Sequence, residues 1–150
     1  MINIEIMKPK ILFLDFDGVL HPLGAPKEDL FSRCSYLEDS CTNYPCEIVI
    51  TSNWRMTNTI DEMILRLPPK IRSKVTGTTG VLQEKTHKRF QEIKNYLEDK
   101  KLDDVSWVAL DDSYWEFPNS CSNLIRCNPN VGLAITEQIK IVNWLNDKSS

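Results

Sequence analysis

Residues 11–14, Ile-Leu-Phe-Leu, run straight into Asp15-Phe16-Asp17-Gly18, and no other stretch restricts the fold as much. Uninterrupted apolar residues closed by acid, glycine and then Pro22 read as a strand buried on both faces that enters a tight turn. A carboxylate at the end of such a strand is costly unless something pairs with it. Asp15 and Asp17 therefore ask for a cation or a set of donors.

Further apolar runs stand at 48–50, 74–76, 107–110 and 124–125. Between them the spacing predicts helices. Residues 58–67 place Ile60, Met63, Ile64 and Leu67 three and four apart, with Pro68 and Pro69 as the stop. Residues 87–100 do the same with Phe90, Ile93, Tyr96 and Leu97, and residues 136–147 with Ile139, Val142 and Leu145 behind Thr136 as cap. A further helix is expected over 28–37, in the irregular stretch that flanks or covers the site. Strands alternating with helices imply an α/β fold, a mostly parallel sheet of about five strands with helices on both faces.

In such sheets ligands bind beyond the carboxyl ends of the strands. The residues that follow the apolar runs are Asp15 and Asp17, then Thr51, Ser52, Asn53 and Arg55, then Asp111 and Asp112. Carboxylates, hydroxyls and an arginine on one sheet edge suit Mg2+, which prefers hard oxygen ligands and usually shares them with a substrate phosphate.

With 150 residues, 41% hydrophobic and 26% charged, the chain supports one core, so one domain over 1–150 is expected. The net charge of −3 and the scattered Lys and Arg leave no basic footprint for nucleic acid or a membrane surface. The first ten residues lack the pattern of an export signal, and no run approaches the ~20 apolar residues of a membrane span, which points to the cytoplasm. Cys34, Cys41, Cys46, Cys121 and Cys127 contain no Cys-x-x-Cys pair and read as reduced thiols in or near the core.

"DFDGVL" resembles the first motif of the haloacid dehalogenase-like phosphohydrolases, "VITSNW" their second, and "VALDDS" their acidic fourth. "TSNWR", "RFQEI" and the late Gly132-Leu133 resemble a small capless branch of that superfamily, some of whose members are fused to RNA-repair enzymes. The resemblance implies a three-layer α/β/α Rossmann-like fold without a large cap, and a Mg2+-dependent phosphatase that works through an aspartyl phosphate. Asp15 would be the nucleophile and Asp17 the general acid and base. Mg2+ would be held by Asp15, the Asp17 carbonyl and Asp112, with Asp111 orienting the ligands.

The second-motif hydroxyl is Ser52 or Thr51, with Ser52 preferred. The third-motif cation is Arg89, Lys88 or Lys85, with Arg89 preferred. Gly18, Asn53, Arg55 and Lys88 would meet the substrate phosphate, Gly18 because the turn leaves no room for a side chain. His21 and His87 read as surface or supporting residues rather than bases, and Trp54, Trp107, Trp115 and Trp144 as packing.

A receiver-like phosphoacceptor without turnover would use similar residues. It would carry its paired acids after the first strand and its acceptor aspartate in the middle, the reverse of the order here. The interval from Asp17 to Thr51 is too short for a cap domain of ~50 residues. The open site that results suits a phosphate on a macromolecule, a polynucleotide end or a phosphoprotein, with nucleic acid entering only as substrate.

Overall fold

The apolar runs fold as five parallel strands, β1 (Lys10–Leu14), β2 (Glu47–Ile50), β3 (Val75–Thr78), β4 (Ser106–Asp111) and β5 (Leu124–Arg126), in a computed structural model that describes residues 10–147. Their order in the sheet is β3-β2-β1-β4-β5. The helices are α1 (Cys34–Cys41), α2 (Ile60–Ile64), α3 (Pro69–Arg72), α4 (Lys88–Asp99) and α5 (Ile135–Asn146).

Alternation along the strands sorts the side chains into two layers. Leu12, Leu14, Ile48, Ile50, Val108 and Leu110 pack against Leu37 and Cys41 of α1, Met63 of α2, Ile71 of α3, and Ile141 and Leu145 of α5. Ile11, Phe13, Val49, Trp107 and Ala109 pack against Ile93 and Leu97 of α4 together with Phe117. Right-handed crossovers explain the division: β1, β2 and β3 are laid down in one direction across the sheet, and the return to β4 puts α4 on the opposite face. The result is a three-layer Rossmann-like α/β fold, and no cap is inserted between β1 and β2 or after β2.

That order also makes the gap between β1 and β4 the place where the winding reverses, and ligands collect at such a point. Hydrogen bonds past the strand ends hold its residues in register: Asp15 N–H donates to the Leu110 carbonyl (3.2 Å), Thr51 N–H to Leu14 (2.9 Å) and Cys127 N–H to Asp111 (2.9 Å).

Several local expectations need correction. Residues 28–37 do not form one helix: a 3-10 turn at Lys27–Asp29 is followed by Phe31 at φ 62°, and α1 begins only at Cys34. Residues 58–67 hold the short α2, capped by Thr59 through reciprocal bonds with Glu62, and Pro69 opens α3 as well as closing what precedes it. Thr136 is no cap, because α5 begins one residue earlier behind the extended Ala134. The buried face of α5 is Glu137, Ile141 and Leu145, while Ile139 stays 54% exposed. The C-terminal carbonyls of α5 are met by the Lys10 ammonium, which reaches Trp144 (2.6 Å), Leu145 (3.1 Å) and Asp147 (2.6 Å). All five cysteines are free thiols, with Cys34, Cys41 and Cys127 buried.

Candidate active site

β1 and β4 end side by side, so Asp15, Asp111 and Asp112 converge. A ligand atom from each lies within 4.8 Å of the others, and all three residues are buried. Their surroundings differ. Asp15 Oδ1 accepts the Phe16 N–H (2.9 Å) and lies 3.4 Å from the Arg89 guanidinium. Asp111 has both oxygens engaged, Oδ1 by the Ser113 N–H (2.9 Å) and Oδ2 by Arg89 (3.1 Å). No donor among the described residues reaches the Asp112 carboxylate, although Asp112 is only 6% exposed. Burial and the neighbouring Asp111 push the Asp15 carboxyl well above the usual carboxylate range, with Arg89 opposing and Asp112 adding to the rise. Burial also raises Asp111 against the pull of Arg89. An oxygen-only donor set with repelling charges and one carboxylate that accepts no hydrogen bond among the described residues fits a hard divalent cation.

Gly18 is explained by this cluster. Its φ is +79°, and a Cβ there would lie 2.4 Å from Asp112 Oδ2. The glycine expected to make room for phosphate thus makes room for the carboxylate that directly follows β4.

Asp17 stands apart. Its side chain is 47% exposed and its Oδ1 accepts two N–H groups, His21 Nε2 at 2.7 Å and Trp54 Nε1 at 3.1 Å. His21 is buried against Asp17, so its reading as a surface residue is not correct. The turn that carries both is tied down from the far end of the chain: Leu133 N–H donates to the Val19 carbonyl (2.7 Å), and a Cβ on Gly132 would strike that same carbonyl at 2.7 Å.

From α4, Arg89 reaches into the cluster, 5% exposed, and touches Thr51 Oγ1 (3.3 Å) and Asn53 Oδ1 (3.4 Å) as well as the two aspartates. Burial works against its charge, but Asp111, Asp15, Glu116 and Glu92 outweigh that and raise its pKa. Lys88 opens the same helix without a hydrogen bond or ion pair among the described residues, near enough to Glu116 to act on its charge, and Lys85 is exposed in the preceding loop. Arg89 is thus the basic residue of the three that meets the acids.

The two hydroxyls part company. Ser52 Oγ accepts the Trp54 N–H (3.2 Å) and caps the 3-10 turn Asn53–Met56, whereas Thr51 Oγ1 accepts from Arg89 beside Asp15. Of the two, Thr51 is the hydroxyl that meets Arg89, and Ser52 is the one that caps the turn.

Arg55, expected to contact substrate, has no donor left for it. Its guanidinium donates to the carbonyls of Thr51, Ser52, Thr79 and Gly80 and pairs with Glu92 at 2.9 Å, which accounts for its five N–H groups. It ties the loop after β2 to the loop after β3.

Glu92, visible in the sequence only within "RFQEI", is the hub: 2% exposed, it joins Arg55, Arg89 (3.7 Å) and the Leu82 N–H (3.0 Å). Its position one helical turn after Arg89 was the available signal.

Residues 11–137 match the family described as the HAD domain in Swiss Army Knife RNA repair proteins, so the chain belongs to that family of the haloacid dehalogenase superfamily, whose domains are generally hydrolases. No curated protein and no solved structure matches the chain. No helix among the described residues is long and apolar enough to cross a membrane.

Proposed function

We propose that the protein is a Mg2+-dependent phosphatase that forms an aspartyl phosphate on Asp15. The observation that carries this reading is the convergence of Asp15, Asp111 and Asp112 at the β1/β4 reversal, with the Arg89 guanidinium against the first two. Asp15 and Asp112 would hold the metal together with the Asp17 carbonyl. Asp111, its oxygens already engaged, would orient the cluster. The metal would neutralise charge on the phosphoryl group and on the carboxylates around it.

An Asp15 carboxylate oxygen attacks phosphorus, the ester P–O bond breaks, and Asp17 gives its proton to the leaving oxygen. Water then attacks the same phosphorus, Asp17 takes its proton, and inorganic phosphate leaves with the Asp15 carboxylate restored. The Thr51 hydroxyl and Arg89 would bind the transferring oxygens, Arg89 by exchanging its long contacts to Asn53 (3.4 Å) and Glu116 (3.9 Å) for the phosphoryl group.

For the substrate we infer a phosphate at the end of an RNA or similar polymer. The absence of a cap leaves the mouth open to a large partner, and the matched family is one of RNA-repair proteins. Tyr114 and Trp115, 50% and 64% exposed directly after the acidic motif, offer ring faces for a base, with the Arg126 guanidinium 3.9 Å from the Tyr114 centroid.

Asp17→Asn tests the chemistry. With an aryl phosphate the first step needs little acid while the second still needs the base, so the variant accumulates phosphate on Asp15, seen by mass spectrometry of acid-quenched protein. Unmodified protein throughout turnover would contradict the covalent route.

A further inference from the structure

An acid that must protonate a leaving group has to present the right oxygen, and in this chain the orientation of Asp17 is set by two side chains outside the acidic cluster. His21 is 1% exposed, enclosed by Phe31 (5.2 Å between centroids) and Trp54 (6.1 Å). Its polar contacts are the Phe31 N–H, which donates to Nδ1 at 3.1 Å, and Asp17. A backbone N–H can only donate, so Nδ1 must be an acceptor and the ring proton sits on Nε2, facing Asp17 Oδ1 at 2.7 Å. The Trp54 indole, donor only, meets the same oxygen at 3.1 Å.

The backbone accepts strain at this contact. Phe31 sits at φ 62°, a region bulky L-residues avoid, and its N–H serves the histidine instead of a helix. Phe16, Phe31 and Trp54 meet edge to face at 5.4 to 5.7 Å and hold the ring and the indole in place.

We propose that His21, with Trp54, is a positioning residue for Asp17. Two N–H groups on Oδ1 leave that oxygen only an acceptor, so a proton on the carboxyl resides on Oδ2, which no donor among the described residues reaches. Oδ2 is then aimed before substrate arrives, and this capless protein needs no closing lobe to orient its acid. The proposal rests on the reading of Asp17 as general acid.

The test compares an aryl phosphate, whose good leaving group needs little protonation, with an alkyl phosphate that depends on the acid. His21→Phe keeps the packing and removes the donor, so its kcat on the alkyl ester falls about ten-fold further than on the aryl ester. His21→Gln, whose amide can still donate to Asp17, recovers most of that difference. Equal losses on both esters would overturn the positioning role and leave the phosphatase reading standing; a wild type that cleaves neither ester overturns both. Trp54→Phe gives the same selective loss where His21→Phe fails to fold. Ring 15N shifts of the wild-type protein read the tautomer without any variant: a proton on Nε2 is expected, and one on Nδ1 would overturn the proposal.

Discussion

At the scale of single residues, the site separates side chains that share a chemical type. Asp111 and Asp112 are adjacent carboxylates, yet among the described residues one has both oxygens hydrogen-bonded and the other has none, and the second presses against a glycine. Gly18→Ala must therefore move Asp112 and also hold an L-residue at positive φ, which alone costs about 1–2 kcal/mol. The expected outcome is weaker Mg2+ binding by calorimetry as well as a lower melting temperature; unchanged metal affinity would detach Asp112 from the metal. Thr51 and Ser52 divide in the same way. Thr51→Val should lower kcat with little loss of stability, while Ser52→Ala removes a cap and costs about 1 kcal/mol in denaturant unfolding. Which hydroxyl faces Arg89 was not legible in "TSNWR", because the two are neighbours and the strand ends one residue before them. The carboxylates were legible, since an acid directly after a buried strand is too costly to stand there without a cation or a set of donors.

Among the elements, α4 is the one that builds the site. Its apolar face was plain from Phe90, Ile93 and Leu97, whereas Arg89 was reached only through the resemblance of "RFQEI" and the burial of Glu92 was not legible, because charged residues on a helix usually face water. Here Glu92 lies between two buried guanidinium groups and lets both sit under the sheet edge. Glu92→Ala leaves the Arg55 guanidinium without its carboxylate while Arg89 keeps Asp111 and Asp15, and a loss of about 3–5 kcal/mol in urea unfolding is expected, with Glu92→Gln milder. A loss below about 1 kcal/mol would mean that Arg55 finds another partner. The misplaced helix over 28–37 has a related cause: Phe31 takes a left-handed conformation whose N–H is used by His21, a contact ten residues away that local sequence cannot register. On α5 the stripe Ile139–Val142–Leu145 was a valid helical face, but the sheet and α1 cover the neighbouring one that runs through Ile141.

For the molecule as a whole, the sheet order places three carboxylates where folding alone does not neutralise them. The folded-state pKa of Asp15 lies above its unfolded value, so between those two values the folded form binds more protons. Without metal, stability therefore falls as pH rises from the unfolded carboxylate range, about 3.9, through the raised value of Asp15. A divalent cation reverses this. At a Mg2+ concentration one hundred times its Kd the gain is about 2.7 kcal/mol, roughly 5–10 °C in melting temperature, and it should vanish with chelator. A melting temperature indifferent to Mg2+ at neutral pH would mean that the cluster holds no such ion.

The most direct measurement is phosphate release from an aryl phosphate by the purified protein, with Mg2+ or with chelator, beside Asp15→Asn. Release that requires the metal and falls to background in Asp15→Asn is predicted. Release that persists in Asp15→Asn, or that ignores the chelator, would contradict a metal-assisted nucleophile at the end of β1.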